Sequence, residues 1–303
     1  MTYPASLKNW ISSSGIKSIE YFENIDLTQL STMRLKAYGD LIIVQDKNSL
    51  KDIVQQLRLL KKEYRLIGWG ANQLLPRNSE QLYLKLDFQY EENFKMENRK
   101  TYFPASISIQ KLISLALKYN IDGWELMTGI PASLGGAIFM NAGTKLGEMK
   151  DIVESVEVMD LDGVIRKELI TEKSFSYRKN NFVLDGDIII GATLRHECEN
   201  EEVKKIINEY LSYRKSSQPL RSKNCGCVFK NPEGKSIGKI IDELGLKGMS
   251  SQNFKISEIH ANFIEHTGDG DLRELHKFIE DIKAQVLGRI GLMIECEVQY
   301  SYN

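Results

Sequence analysis

The stretch GIPASLGGAIFMNAG, running from Gly129 to Gly143, constrains this chain more than any other part of its sequence. Glycines stand at 129, 135, 136 and 143, with a further one at 147. Glycine adopts backbone angles closed to other residues and lets a second backbone or a ligand approach without a Cβ clash. Two arrangements answer to such a run. Its backbone N–H groups can form a concave nest for a pyrophosphate, with no lysine needed. Alternatively the glycines serve tight turns packed against a sheet, and composition leaves both open. A second glycine turn, Gly68-Trp69-Gly70-Ala71-Asn72, follows the apolar segment YRLIG. It departs from the dinucleotide fingerprint, because Gln73 stands where G-x-G-x-x-G needs its third glycine and no clear helix follows. Taken alone, that turn reads as structural.

With 303 residues, 42% hydrophobic and 27% charged, the chain can bury a core divided into two or three lobes. Forty basic and 41 acidic side chains leave a formal charge of −1, so no global field draws it to nucleic acid or to an anionic membrane. An anionic ligand has to be held by local groups. No apolar run approaches the roughly 20 residues that span a bilayer. The opening MTYPASLKNWISSSGIK lacks a basic segment followed by an apolar core, which places the chain in the cytoplasm. Cys198, Cys225, Cys227 and Cys296 are too few for a disulfide framework and are expected as free thiols. Cys225 and Cys227 have no histidine at finger-like spacing, so no metal site is expected.

Periodicity organises the rest. From Leu41, LIIV, the amphipathic SLKDIVQQLRLLKK and YRLIG predict a βαβ unit. YLKLDF predicts a strand, and SIQKLISLALKYN a helix opened by Ser108 as N-cap. IVESVEVMDLDGVIRKEL alternates and breaks at Asp162-Gly163, a hairpin signal; DIIIGATLRHE reads as a buried strand. The charged helix EEVKKIINEYLSYR, Glu201 to Arg214, leads into a last lobe with helices KSIGKIIDELGL and DLRELHKFIEDIKAQVLGRI and a closing strand MIECEVQY. Arg178 and the pair Lys230-Asn231 offer cations and amides for carboxylate or phosphate, although each taken singly is more often a solvated group. His260 reads as a hydrogen-bonded core histidine, Met127, Met140 and Met149 as core filler, and the acidic runs at 151–160 and 199–202 as solvated faces.

Eight blocks in order give these segments a common meaning: LSTMRL at 30–35, IGWGANQLL at 67–75, GIPASLGGAIFMNAG at 129–143, FSYRKN at 175–180, QPLRSKNCGCVFKNPEG at 218–234, GLKG at 245–248, HANFI at 260–264 and ECEV at 295–298. Together they resemble the UDP-N-acetylenolpyruvoylglucosamine reductase family across most of the chain. The short connection from Arg178 to DIIIGATLR resembles the subclass without an inserted tyrosine-bearing loop. The resemblance implies an α+β fold: a two-part FAD-binding domain of the vanillyl-alcohol oxidase type over residues 1–198, its parts at about 1–78 and 79–198, then a smaller α/β substrate-binding domain over 199–303.

It also implies the activity: NADPH-dependent reduction, through FAD, of a UDP-sugar enolpyruvate in peptidoglycan precursor synthesis, by a monomer. Arg178 and Glu297 would flank the substrate carboxylate. FAD would be held by Gly68, Trp69, Gly70, Ala71, Asn72, Gln73, Leu74, Gly129, Ile130, Pro131, Ser133, Gly135, Gly136, Asn141 and Ile188, and the sugar nucleotide by Arg214, Gln218, Lys230 and Asn231. In the family motif G-S-x-F-K/R-N-P a serine donates a proton; Gly226-Cys227-Val228-Phe229-Lys230-Asn231-Pro232 puts a thiol there, so Cys227 is the expected donor and Cys225 a structural neighbour. Other departures are Trp69 and Ala71 in a turn usually G-G-G-S-N, Pro104-Ala105-Ser106 for G-A-G, and Ala132 for glycine. The alternatives are an FAD-dependent oxidoreductase of another alcohol or sugar, or a non-catalytic homologue that binds flavin or sugar nucleotide.

Overall fold

The computed structural model describes residues 7–92, 94–196 and 199–300; Cys198 lies outside them. Along the chain the first elements are α1 (Leu7–Ser14), β1 (Ile19–Asp26), β2 (Tyr38–Val44), α2 (Lys47–Leu59), β3 (Tyr64–Leu66), β4 (Gln73–Leu74) and β5 (Asn78–Leu86). Next come β6 (Lys100–Pro104), α3 (Ile109–Tyr119), α4 (Leu134–Phe139), β7 (Gly143–Thr144), β8 (Gly147–Glu148), β9 (Val153–Met159), β10 (Ile165–Leu169), β11 (Phe175–Ser176), β12 (Lys179–Asn180) and β13 (Ile188–Arg195). The last are α5 (Val203–Ser217), α6 (Ile237–Glu243), β14 (Phe254–Ile256), β15 (Ile264–His266), α7 (Leu272–Ile290) and β16 (Gln299–Tyr300).

Two compact units result, and neither is contiguous. The first takes the described residues of 1–23, 41–68 and 82–211; the second takes 24–40, 69–81 and those of 212–303. In the first unit the expected βαβ unit forms, but its strands are not neighbours: the sheet order is β1-β2-β5-β3, with β3 parallel to β5. Helix α2 is started by Asp46, whose carboxylate accepts from Ser49 N at 2.9 Å, and it buries Leu50, Ile53, Val54 and Leu57, one face at helical spacing. The second sheet runs β10-β9-β13-β6. Its β9–β10 hairpin closes as the sequence predicts, with Asp160 Oδ1 accepting from Asp162 N and Val164 N, both at 2.9 Å. Strand β13 joins two cores: alternation across the pleat separates Ile188 from Ile189, and the irregularity in its pairing with β9 at Ile189/Gly191 turns Ala192 and Leu194 to the face of Ile189. Ile188 and Ile190 pack into the core under α2, whereas Ile189, Ala192 and Leu194 pack with α3 and Trp124.

The second unit has its own core around α7, whose buried face runs Leu272, Leu275, Phe278, Ile279, Ile282 and Val286. Asp271 caps this helix at Arg273 N and Glu274 N, and Gly291 at φ +67° ends it. The closing strand expected at MIECEVQY is only two residues of regular strand, Gln299–Tyr300, parallel to Gln73–Leu74. Before it, Lys230 N donates to Glu295 O at 2.9 Å and Glu297 N to Val228 O at 2.8 Å. The segment changes partner part-way, so no ladder runs its full length.

His266, 6% exposed, is stacked on Phe254 and held at both ring nitrogens: Nδ1 lies 3.1 Å from Met33 O, and Nε2 accepts from Gly270 N at 3.0 Å. That pairing suits the neutral ring, donating at Nδ1 and accepting at Nε2. Burial pushes the His266 pKa below its usual value, with the Met33 bond opposing, and burial does the same to His196 and His260. Below about pH 6.5 the unfolded chain binds protons that these folded sites refuse. Unfolding free energy is therefore expected to be full above that pH and to decline as pH falls through the window beneath it. Urea unfolding from pH 7.5 to 5.5 measures the slope; His266→Gln should flatten it, and an unchanged slope contradicts this origin.

Candidate active site

In the first unit, the strand β3 delivers the chain to Gly68 directly over the glycine-rich segment: a Cβ on Gly68 would lie 2.8 Å from Ser133 Oγ. Gly135 makes a second close approach, where a Cβ would stand 2.9 Å from that of Ala105. Backbone bonds fix the arrangement, Ile109 N to Ala132 O at 2.9 Å, Leu134 N to Ile107 O at 2.9 Å and Gly135 N to Ala105 O at 2.8 Å. Ser133 caps α4 by accepting from Gly136 N at 3.3 Å. These bonds change the expected nest. The amides of Ile130, Ala132, Leu134, Gly135 and Gly136 all donate within the protein, to carbonyls of Met127, Ile130, Ile107 and Ala105 and to Ser133 Oγ, because the segment pairs with 105–109 and starts a helix. Among the described residues, the amides of Gly129 and Ser133 have no such bond. Pro131 has no N–H to offer.

Asn141 has a different role from the one its motif suggests. It is fully buried in a left-handed conformation, φ +42°. Its Nδ2 donates to Glu148 Oε2 at 2.9 Å and to Ser176 O at 3.2 Å, and its Oδ1 accepts from Lys150 N at 3.1 Å. No donor of that amide remains for a ligand. What it does is fasten the glycine-rich segment to the β11–β12 hairpin, aided by Asn180 Nδ2 donating to Phe139 O at 2.9 Å. Arg178 sits at the tip of that hairpin with φ +56°, a turn position that glycine or asparagine normally takes. Its guanidinium lies 5.2 Å from the centre of the Tyr177 ring. Ile188, expected at the flavin, is 1% exposed and its side chain is sealed under α2, leaving only its backbone.

In the second unit, the turn Trp69 to Leu74 is gripped by LSTMRL. A Cβ on Gly70 (φ +59°) would strike the Leu30 carbonyl, Thr32 N donates to Gly70 O at 3.3 Å, and Ser31 Oγ donates to Gln73 O at 3.0 Å. The amides of Trp69, Gly70, Ala71 and Asn72 make no backbone bond among the described residues, and the Trp69 indole is 41% exposed. Asn72 reaches the C-terminal segment, its Nδ2 donating to Glu297 O at 3.1 Å and its carbonyl accepting from Gln299 N at 2.9 Å. Glu297 in turn holds Val228, one residue from Cys227. On the opposite edge, Val228 N donates to Asn262 O at 2.9 Å and Cys227 bridges Phe263. Two of the expected catalytic residues, Cys227 and Glu297, are thus brought together.

Cys227 is half-buried, whereas Cys225 is buried and its thiol is pushed up to about 12 by desolvation, so it is inert. Gly226 between them has φ +78°, so this stretch is bent; Asn224 Oδ1 accepts from Gly226 N at 3.0 Å and shapes the bend. Of the expected substrate residues, Arg214 Nε donates to Gln218 Oε1 at 2.9 Å, so these two meet. Lys230 pairs with the exposed Glu295 at 3.0 Å, and Asn231 Oδ1 accepts from Ile237 N at 3.0 Å, ordering the turn into α6. Sequence reading passed over Asn224 and Asn262. Only the placing of Asn224 two residues before a glycine carries a local signal.

Comparison with known proteins decides what this arrangement belongs to. The UDP-N-acetylenolpyruvoylglucosamine reductase C-terminal domain model matches residues 218–301, and the FAD binding domain model matches 41–167. A UDP-N-acetylenolpyruvoylglucosamine reductase of Clostridioides difficile is 33% identical over 97% of this chain and 96% of its own. One from Caldanaerobacter subterraneus is 32% identical over 94% of each. The chain belongs to the UDP-N-acetylenolpyruvoylglucosamine reductase family. The crystal structure of the UDP-N-acetylenolpyruvylglucosamine reductase from Thermus caldophilus, 30% identical, superposes with a TM-score of 0.78 over 93% of this chain and 98% of that one.

Family membership makes the chain an FAD-dependent oxidoreductase with an FAD-binding domain and a reductase-family C-terminal domain. The residues present fit a flavin nucleotide. Where a phosphate would need bare backbone, Gly68 and Gly129 carry no side chain, and unbonded amides stand at Gly129 and Ser133. In this member of the reductase family, Asn141 is expected to be structural and not a ligand. Asn141→Ala strands the Lys150 N–H and one lone pair each on Ser176 and Glu148. It should cost about 2–4 kcal/mol in urea unfolding; a loss below about 0.5 kcal/mol contradicts the bracket.

Proposed function

We propose that this chain reduces UDP-N-acetylglucosamine enolpyruvate to UDP-N-acetylmuramate with NADPH, through FAD, in peptidoglycan precursor synthesis. The observation that carries the reading is the segment Cys227 to Lys230, tied on one edge to Asn262 and on the other to Glu295 and Glu297, so that a thiol and a carboxylate share one support. Flavin binding is assigned to residues 1–198 and sugar-nucleotide binding to 199–303, each holding its matching family model, although residues 24–40 and 69–81 pack with the second unit. In the first unit, Gly68, Gly129 and Ser133 offer bare backbone and free amides to FAD phosphates; in the second, the amides of Trp69 to Asn72 do so. Gln73, Leu74 and the remaining residues of 130–136 shape that support.

Held by the bare backbone and open amides named above, FAD would supply the two-electron chemistry between NADPH and C3 of the enolpyruvyl group. The protein's part is to bind and to move one proton. Arg178, aimed by its hairpin, attracts the substrate carboxylate and the negative charge that grows on it as hydride arrives. The role given to Glu297 needs a protonated carboxyl or a bridging water, since a bare carboxylate would repel negative charge on the substrate. Cys227 gives its S–H proton to C2 and recovers it from solvent. A free thiol titrates near 8.5, far below a serine hydroxyl, so it is a competent donor at neutral pH. Arg214, Gln218, Lys230 and Asn231 are assigned to the nucleotide end.

The reading includes action as a monomer in the cytoplasm, where NADPH and UDP-sugars are made; no helix among the described residues is long and apolar enough to cross a membrane. Its test is rapid-mixing of the two half-reactions. Cys227→Ala should leave flavin reduction by NADPH within about twofold and slow reoxidation by the enolpyruvyl sugar nucleotide by about 10²–10⁴, whereas Cys227→Ser should keep most activity. Near-wild-type reoxidation in the alanine variant contradicts the thiol as donor. A protein that neither retains nor takes up flavin contradicts the whole reading.

A further inference from the structure

We propose that Asn262 is a positioning residue that sets where Cys227 presents its proton; the proposal rests on the donor role given to Cys227 above. Asn262 is 3% exposed. Its side-chain amide makes both of its bonds to one peptide position: Oδ1 accepts from Phe229 N at 2.9 Å and Nδ2 donates to Phe229 O at 2.9 Å. Its backbone carbonyl accepts from the neighbouring Val228 N at 2.9 Å. Its own N–H donates to His260 Nδ1 at 3.2 Å, so the residue that clamps is itself clamped. Helix α6 closes in behind, where a Cβ on Gly238 would stand 3.5 Å from that of Asn262.

This pairing replaces a rung of sheet ladder by a side chain. A main-chain ladder can slip to the next residue and keep the same kinds of bond, and in an extended strand a one-residue slip turns every side chain to the other face. A side-chain amide that satisfies the N–H and C=O of a single residue has no equivalent one step along. Asn262 therefore pins register at Phe229, two residues from Cys227. The segment does not depend on Asn262 alone to stay in place. Its other edge is held by Lys230 N on Glu295 O and Glu297 N on Val228 O. What the amide adds is placement, and placement errors near 1 Å cost about 10²-fold in rate.

Asn262→Ala and Asn262→Asp are compared with wild type by three readouts: flavin reduction by NADPH, flavin reoxidation by the enolpyruvyl sugar nucleotide in H2O and D2O, and alkylation of Cys227 by iodoacetamide in flavin-free protein followed by mass spectrometry. In Asn262→Ala, reoxidation should slow about 10–100-fold with flavin reduction within about twofold. Its solvent isotope effect should rise, because proton delivery becomes limiting, and Cys227 alkylation should accelerate at least about threefold as the strand loosens. Asn262→Asp keeps the acceptor for Phe229 N–H and loses the donor; it should fall between, and it carries the test if the alanine variant does not fold. Unchanged reoxidation and alkylation in either folded variant overturns the proposal, as does an equal loss in both half-reactions. If wild-type reduced flavin is not reoxidised by the sugar nucleotide, the functional reading fails, and the alkylation rates alone then decide the clamp.

Discussion

The first unit depends on a backbone approach that no side chain could share. Gly68 reaches Ser133 so closely that a Cβ would stand 2.8 Å from the serine oxygen, and Gly135 meets Ala105 in the same way. Once these contacts are made, the carbonyls of Ala105 and Ile107 become partners for the Gly135 and Leu134 amides, α4 starts at a serine cap, and Asn141 can draw the end of the segment onto the hairpin that carries Arg178. Each step follows from the one before: bare backbone permits the approach, the approach satisfies amides, and satisfied amides leave only selected ones open.

The second unit solves a different problem, that of holding a thiol still. Cys227 lies on a segment joined to its neighbours by isolated bridges and by no regular ladder. Rigidity comes instead from edge bonds to Asn262, Glu295 and Glu297, and from Asn72, which ties Glu297 to the turn after Gly70. Asparagines recur at these joints, Asn72, Asn224 and Asn262, as Asn141 does in the first unit, because one small amide offers donors and an acceptor at once and can stand in for a peptide group.

Much of the fold was legible in the sequence because it rests on local rules. Helices at Ser108, Asp46 and Asp271 begin at side chains that cap them, and the Asp162-Gly163 hairpin turns where its residues prefer to turn. What escaped was set by contacts between distant segments. The glycine-rich run looked like a nest of donors, but most of its amides are claimed within the protein, those of Leu134 and Gly135 by carbonyls of Ile107 and Ala105, a pairing that leaves no trace in the run itself. Ile188 is expected at the ligand by family position, and strand alternation turns its side chain into the core under α2, so only its backbone is left for that role. The closing strand dissolved because its partners change part-way. Asn262 was invisible for the same reason: its partner, Phe229, is 33 residues away.

The most direct test of the account is the FAD affinity of apoprotein carrying Gly68→Ala, alone and with Ser133→Ala. If the bare approach of Gly68 to Ser133 builds the flavin site, the single variant should bind FAD at least about tenfold more weakly, and removing the serine hydroxyl in the double variant should restore part of that loss. Wild-type affinity in Gly68→Ala, or a double variant no better than the single one, would contradict it.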